Sequence, residues 1–420
     1  MTLPSSSAGP PSLVRVAWVA VALLWPVALL NYMDRQMLAA MKTSVMSDIG
    51  DISSDANWGF MLGQFKWVYA ILSPLGGYIA DRFSRRMTIC ASLMVWSIVT
   101  WSTGHVTTFD GLLWTRTMMG ISEAFYIPAA LALIADYHSG GTRSRAIGIH
   151  QTAIYCGIII GGFSGYVADE PSLGWRFAFE AAGLAGVLYA VPLTVFLRDH
   201  IKPVRENGTR PRSASFSLPT LFHELIANRS FVFLVLCFTL PALAGWVVKD
   251  WMPAILKDKF PAIGQGMAGV SATLYVNIAS LIGAFSGGWL ADRLMRATLR
   301  GRIYVSALGM SLLIPALFGV GNSPTLLVAI LFLSLFGIGW GFFDCNNMPI
   351  LSQIVRPELR ATGYGIMNLV SISCGGFADW GFGILRDSEV PLNQIFGLFS
   401  TLAMFSVVLV LLIRPRPELE

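Results

Sequence analysis

Runs of predominantly apolar residues, each about 20 long and so able to cross a hydrocarbon layer at about 1.5 Å of rise per residue, recur from one end of this chain to the other. Polar breaks place them at 16–46, 57–81, 86–105, 108–137, 144–168 and 175–197, then at 230–256, 264–292, 302–320, 323–354, 359–385 and 392–413. A chain so built folds as an all-α membrane protein of 12 spans. Gly and Pro interrupt many spans, which a membrane helix tolerates where neighbours or a wet cavity satisfy the freed backbone.

Composition removes the soluble alternatives. Only 13% of the 420 residues are charged and 55% are hydrophobic, against about 25% charged in a soluble domain, and the mean hydropathy is +0.63. The net charge of +5 does not point to nucleic acid, because the basic residues cluster at span ends. Residues 1–11 are polar and lack a cleavage pattern, so the first apolar run reads as a retained helix. The five cysteines sit singly inside apolar runs, without metal spacing. No phosphate loop, dinucleotide glycine pattern or metal cluster appears. The expectation is a non-enzyme with no cofactor, no metal and no ATP-driven chemistry of its own.

Lys and Arg give the orientation. Of 29 basic residues, 20 fall in one set of loops, among them Arg82, Arg85, Arg86, Arg143, Arg145, Arg293, Arg360 and Arg414, and the opposite loops hold Arg176, Lys257, Lys259 and Arg386. Both termini are therefore expected in the cytoplasm, with the protein multi-pass in a cell inner membrane. The polar stretch 199–229 reads as a cytoplasmic linker between an N-terminal bundle, 1–198, and a C-terminal bundle, 230–420.

The halves repeat each other. Gly76-Gly77-Tyr78-Ile79-Ala80-Asp81-Arg82 returns as Gly287-Gly288-Trp289-Leu290-Ala291-Asp292-Arg293, and Gly120–Tyr126 returns as Gly337–Phe343, with Pro128 and Pro349 following. Arg145-Ala146-Ile147-Gly148 returns as Arg360-Ala361-Thr362-Gly363. Three echoes in order argue for duplication, and parallel six-helix repeats place a substrate site at their interface.

On these residues the chain resembles the major facilitator superfamily. Gly77-x-x-x-Asp81-Arg82-x-x-Arg85-Arg86 is similar to that family's loop signature between its second and third helices, and the weaker copy lies at Gly288–Arg296. The resemblance implies two pseudo-symmetric six-helix bundles working by alternating access. It makes Asp81, Arg82, Arg85, Arg145, Asp292, Arg293 and Arg360 the expected cytoplasmic gate; a pure topology signal is the alternative for the arginines. Asn31-Tyr32-Met33-Asp34-Arg35, Arg116-x-x-x-Gly120-x-x-Glu123-Ala124, Arg143-Ser144-Arg145-Ala146 and Gly174-Trp175-Arg176 resemble two related groups. These are the anion:cation symporters of organic acids and the spinster-like carriers associated with lysolipids and sphingolipids. The motifs leave the choice between the groups open.

A charge at membrane depth costs at least about 2.5–3.5 kcal/mol unless paired or hydrated, and so reads as functional. Here the set is Asp34, Arg35, Lys66, Arg116, Glu123, Lys249, Asp250, Asp344 and Asp379, with Glu180 at its margin. Glu123 lies two turns below Arg116 on one helix face, and Asp34 is at a level that allows it to pair with Arg116. Asp34 and Glu123 are the expected proton-coupling acids, as the resemblance to the anion symporters also implies. Arg35, Arg116, Tyr32, Lys249, Asp344 and Asn368 are the expected substrate contacts. A permanent Asp34–Arg116 structural pair is the alternative. Lys249 serves equally as an anchor at the outer end, and His150 reads as a satisfied helix contact. Tyr126, Gln151, Tyr155 and Asn277 are weaker uncharged candidates. The expected function is a monomeric, proton-coupled symporter of a small organic anion, whose partners are that anion, protons and the lipid bilayer. A spinster-like lipid carrier and a membrane solute sensor are the alternatives.

Overall fold

A computed structural model describes residues 11–82, 84–138, 142–199 and 224–419, with side chains left undescribed at 11–14, 77, 78, 80–82, 358 and 419. Fifteen α-helices, a further helical piece at 224–227 and no strand lie within the described residues. The first eight are α1 (Pro11–Ala40), α2 (Lys42–Asp48), α3 (Asp55–Arg82), α4 (Arg85–Thr103), α5 (Phe109–Glu123), α6 (Tyr126–Tyr137), α7 (Arg143–Asp169) and α8 (Gly174–Phe196). The remainder are α9 (Arg229–Lys259), α10 (Gln265–Met295), α11 (Gly301–Asn322), α12 (Leu326–Asp344), α13 (Asn347–Ile354), α14 (Arg360–Asp387) and α15 (Leu392–Leu411). Taking α1 with α2, α5 with α6 and α12 with α13 as single spans gives 12 crossings.

Those breaks correct three continuous runs of the sequence reading, and two share one cause. Helix α5 yields to α6 at Ala124 and Phe125, and α12 to α13 at Cys345 and Asn346. Each break precedes a proline, Pro128 or Pro349, which lacks an N–H and clashes with the carbonyl one turn back. The first run breaks at Met41. Among the described residues, nine spans are long and apolar enough to cross a membrane by length and composition alone. The other three, α3, α4 and α14, carry Lys66, Thr100 and Asp379, whose presence is explained by the site they build.

The duplicated glycines make equivalent approaches. A Cβ on Gly120 would stand 2.9 Å from the Phe65 carbonyl oxygen, and one on Gly337 would collide with the carbonyl of Val276, the counterpart of Phe65 in the second copy. Both therefore let the fourth span of a half lie against its second.

Helices before residue 200 and after 223 meet along two seams, α3 against α14 and α7 against α10. Both seams are tied at the end opposite the basic loops, in the same manner. The carboxylate of Asp387, ending α14, accepts from the backbone N–H groups of Asp55 and Ala56 (2.9 and 2.8 Å), which begin α3. Asp169, ending α7, accepts from the N–H of Gly266 (2.9 Å) at the start of α10. A carboxylate satisfies orphan donors and meets the positive end of the helix dipole in each case. The two caps are related as the two halves are.

Candidate functional site

The seams leave a cavity between the halves, in two adjoining chambers of about 50 and 220 Å³. Tyr32, Gln36, Ile158 and Lys249 line both, so α1, α7 and α9 form the wall where the chambers join.

Helix α1 supplies the first cluster. Arg35 pairs with Glu123 of α5 at 2.7 Å and bonds Asn31 Oδ1 at 3.3 Å. Its guanidinium also stands over three rings, Tyr32, Phe65 and Tyr69, at 4.8–4.9 Å from each centroid. This aromatic box holds the cation at the chamber wall while the acid stays fully buried. Asp34, next in sequence, points elsewhere: its Oδ2 accepts from the Thr100 hydroxyl at 2.7 Å. Arg116 donates to Thr103 at 3.1 Å, and its guanidinium lies 5.8 Å from the Phe179 ring centroid.

The anticipated partner of Arg116 is thereby corrected. Among the described residues no ion pair joins it to Asp34 or to Glu123; Thr100 and Thr103, one turn apart on α4, stand between the two charges as separate partners. Adjacent residues on a helix point about 100° apart, so Asp34 and Arg35 serve different neighbours, and Glu123 takes the arginine of α1, not that of its own helix. Asn31 Nδ2, Asp34 Oδ1, Arg116 Nε and Glu123 Oε1 are all buried without a protein partner. Four such atoms in one cluster retain unused hydrogen-bonding capacity, which suits groups whose protonation changes.

The second cluster crosses the halves. The Lys66 ammonium of α3 bonds both Asp250 of α9 and Asp379 of α14. It also stands 4.3 Å from the Trp246 ring centroid. Lys249 approaches that ring at 5.2 Å and Tyr32 at 5.4 Å, and it makes no ion pair among the described residues. Asp344 faces Lys249 across the second chamber, with Asn347 donating to it at 3.4 Å. Gln151, Tyr155 and Asn277 line this chamber too. Asn368 is half-buried on α14 and lines neither chamber. Tyr126 is buried, donating to the Leu24 carbonyl (3.1 Å) and meeting His150 Nε2 at 3.0 Å, so that histidine is a satisfied contact between helices. Glu180 lies at the end opposite the basic loops, 3.6 Å from His105.

Further out, Lys42 pairs with Asp55, and Arg386 reaches Asp258 at 3.0 Å and Asp55 at 3.7 Å. The Gly174-Trp175-Arg176 motif has its place here as well. Gly174 turns at φ +75°, and Trp175 and Arg176 both donate to Asp48, at 3.0 and 2.9 Å, while Arg176 also bonds the carbonyls of Gly104 and Val106.

At the basic end the expected gate residues bond within their own halves. Arg85 pairs with Asp136, Asp292 with Arg302 at 3.4 Å, and Arg360 with the carbonyls of Val355 and Ser352. Arg293 lies 5.6 Å from the ring centroid of Trp289, and Arg145 is exposed. The side chains of Asp81 and Arg82 lie outside the described residues.

Sequence reasoning did not find Thr100, Thr103, Phe65 or Tyr69, nor the joining of Lys66 to two acids. A threonine or an aromatic in an apolar span carries no signal of its own; only packing makes it a partner.

A buried, charged cavity lies between the duplicated six-helix halves, and comparison with known proteins names the family. The family model of the Major Facilitator Superfamily matches residues 24–378, and the chain belongs to that superfamily. It is a multi-pass membrane protein. Among curated proteins it is similar to Protein spinster of Drosophila melanogaster, 26% identical over 376 residues, 87% of this chain and 61% of that one. It is also similar to Protein spinster homolog 1 of Rattus norvegicus, 30% identical over 327 residues, 74% of this chain and 59% of that one. The chain thus spans about three fifths of the length of these relatives. Among solved structures it matches a bacterial homolog of the human lysosomal transporter Spinster, in an inward-facing and occupied conformation. That match has a TM-score of 0.78 at 20% identity, covering 94% of this chain and 96% of that one. A D-xylose-proton symporter gives 0.78 at 15% identity, covering 95% and 98%, which speaks to the fold alone.

Proposed function

We propose that the chain is a proton-coupled symporter of a small organic anion, such as a sugar acid or carboxylate, working as a monomer in a cell's inner membrane. The basic end and both termini lie in the cytoplasm, and the halves 1–198 and 230–420 rock about the central cavity, tethered by 199–229. The observation that carries this reading is Lys249. It is a cation where both chambers meet, held over two aromatic rings and in no ion pair among the described residues. A cation kept at depth without an internal partner suits an anionic cargo that supplies one. Arg35, Arg116 and Tyr32 line the first chamber with Lys249, and Asp344 bears on the cargo's neutral polar groups in the second; Asn368, which lines neither chamber, is dropped as a contact.

Asp34 and Glu123 are the proton carriers. Each keeps one oxygen unbonded, Oδ1 and Oε1, while the other accepts from a threonine in Asp34 and from an arginine in Glu123, which lets each acid exist in two protonation states without moving a helix. Asp81, Arg82, Arg85, Arg145, Asp292, Arg293 and Arg360 close the cytoplasmic end in the alternate state. The ties at the outer end, together with gate residues bonded inside their own halves, fit a cavity that opens toward the cytoplasm.

A lysolipid or sphingolipid cargo is the second reading. It is favoured by the spinster relatives and by the aromatic wall of the first chamber around Arg35. Uptake into proteoliposomes under an imposed pH gradient, across sugar acids, short carboxylates and lysolipids, tests both. Saturable accumulation of a hydrophilic acid, abolished by a protonophore, is expected. Accumulation of lysolipid alone replaces the cargo, and uptake indifferent to the gradient removes the proton.

A further inference from the structure

We propose that Lys66, Asp250 and Asp379 form a second proton-binding site, a latch that shuts the outer end with a proton bound and loosens when that proton leaves through the cavity. Its place in a transport cycle rests on the proton-coupled reading above; its test does not.

The three residues come from three helices and both halves, α3 on one side and α9 with α14 on the other. Lys66 is 4% exposed and Asp379 fully buried. One ammonium therefore holds two carboxylates where water is scarce. The second oxygen of Asp379, Oδ1, is buried, and the polar group that faces that carboxylate beyond Lys66 is the indole N–H of Trp251.

Among the surrounding charges Lys249 is the nearest cation: it lies over the same Trp246 ring as Lys66 and feels the charge of Asp250, but it makes no ion pair with either acid of the cluster. Arg35, in the chamber wall, is taken by Glu123. Farther out, Lys42 is taken by Asp55, and Arg386 by Asp258 and Asp55. On the cytoplasmic side Asp344 adds negative charge. With both acids ionised the three bonded groups carry a net negative charge in a low-dielectric seam, offset only through space by Lys249, and two carboxylates sharing such a site resist ionising together. A proton on either oxygen leaves a neutral Lys–Asp pair and an O–H donor.

The path for that proton follows from the lining. Lys66 and Asp250 border the first chamber, whereas Asp379 does not. Exchange thus runs through Asp250 to the cavity. When the outer end opens, α3 parts from α9 and α14, all three groups meet water, and both acids ionise. Closure takes a proton onto a carboxylate oxygen and breaks no other bond; loss of that proton into the cavity restores the strained charge and frees the latch. The closed form binds the extra proton, so it is favoured as pH falls.

Spin-label distances between Ser53→Cys and Ser388→Cys, with the five native cysteines replaced, report this end in lipid nanodiscs. Ser53 and Ser388 are exposed on opposite halves. In the otherwise unaltered chain the short-distance fraction is expected to rise from mildly alkaline to acidic buffer. Asp379→Asn keeps one acid for one ammonium, so the short fraction should dominate at both values and lose its pH response. Asp250→Asn gives the same test should Asp379→Asn fail to fold. A pH response that survives in both variants, or is absent from the parent, overturns the latch. Asp34→Asn separates the two readings: it should abolish gradient-driven uptake yet leave the distance response intact. Failure of proton-driven uptake in liposomes thus removes the symporter reading without touching the latch.

Discussion

Two charged clusters occupy the same protein depth and are built on opposite plans. The one around Arg35–Glu123 and Asp34 lies within the N-terminal half, on α1, α4 and α5, whose packing a rocking motion preserves. The one around Lys66 joins α3 to α9 and α14, and any outward opening must take it apart. The first can exchange protons while the helices stay in place. In the second, on the latch proposal, loss of a proton into the cavity is what frees the movement. Coupling a chemical gradient to a conformational cycle requires one of each, because charge must be both carried and read.

The largest effect is expected from removing the cation that spans the halves. Lys66→Met leaves two acids buried without a counter-ion, a change worth about 3–5 kcal/mol when a buried pair loses one partner. The outer end should then open, seen as a strong shift to long Ser53–Ser388 distances and a lowered Tm. Unchanged distances would erase the difference between the clusters.

Next come the acids of the N-terminal half. Asp34→Asn and Glu123→Gln should each abolish accumulation driven by a pH gradient, with the outer-end distances unchanged. Exchange of cargo across the bilayer without a gradient should persist, because neither variant alters the seams. Uphill uptake with its ordinary pH dependence in both variants would falsify their role.

A smaller effect belongs to Lys249. Loss of a hydrogen bond to a charged group is worth about 1.5–3 kcal/mol. Lys249→Gln should therefore raise the KM for an acid cargo by about 10–100-fold, with Lys249→Arg retaining more than Lys249→Gln. The smallest is Arg145→Ala at the exposed basic end, expected to change Tm by less than about 1 kcal/mol worth of stability and to alter only the rate of turnover in flux assays.

The comparison also explains what was legible. Asp34, Arg35 and Glu123 stood out because an ionisable residue in an apolar run has few explanations, and their motif is local. The pairing among them did not. Asp34 and Arg116 fit each other by level along two helices, yet level says nothing about rotation, and the rotation of α1 hands Arg35 to Glu123 while Thr100 takes Asp34. The caps by Asp169 and Asp387 escaped notice for a related reason: an acid at a span's end is ordinary until another helix begins against it.

The sequence by itself determined the solvent, the number of crossings, the duplication and the list of charges that need an explanation. Each of these follows from hydropathy, periodicity or repetition, which are properties of neighbours along the chain. Only the tertiary structure decided that Lys66 serves two acids from the other half, that Phe65 and Tyr69 wall in Arg35, and that Lys249 makes no ion pair among the described residues. Those facts depend on how rigid helices rotate and abut, and residues hundreds of positions apart leave no mark of that on one another's local sequence.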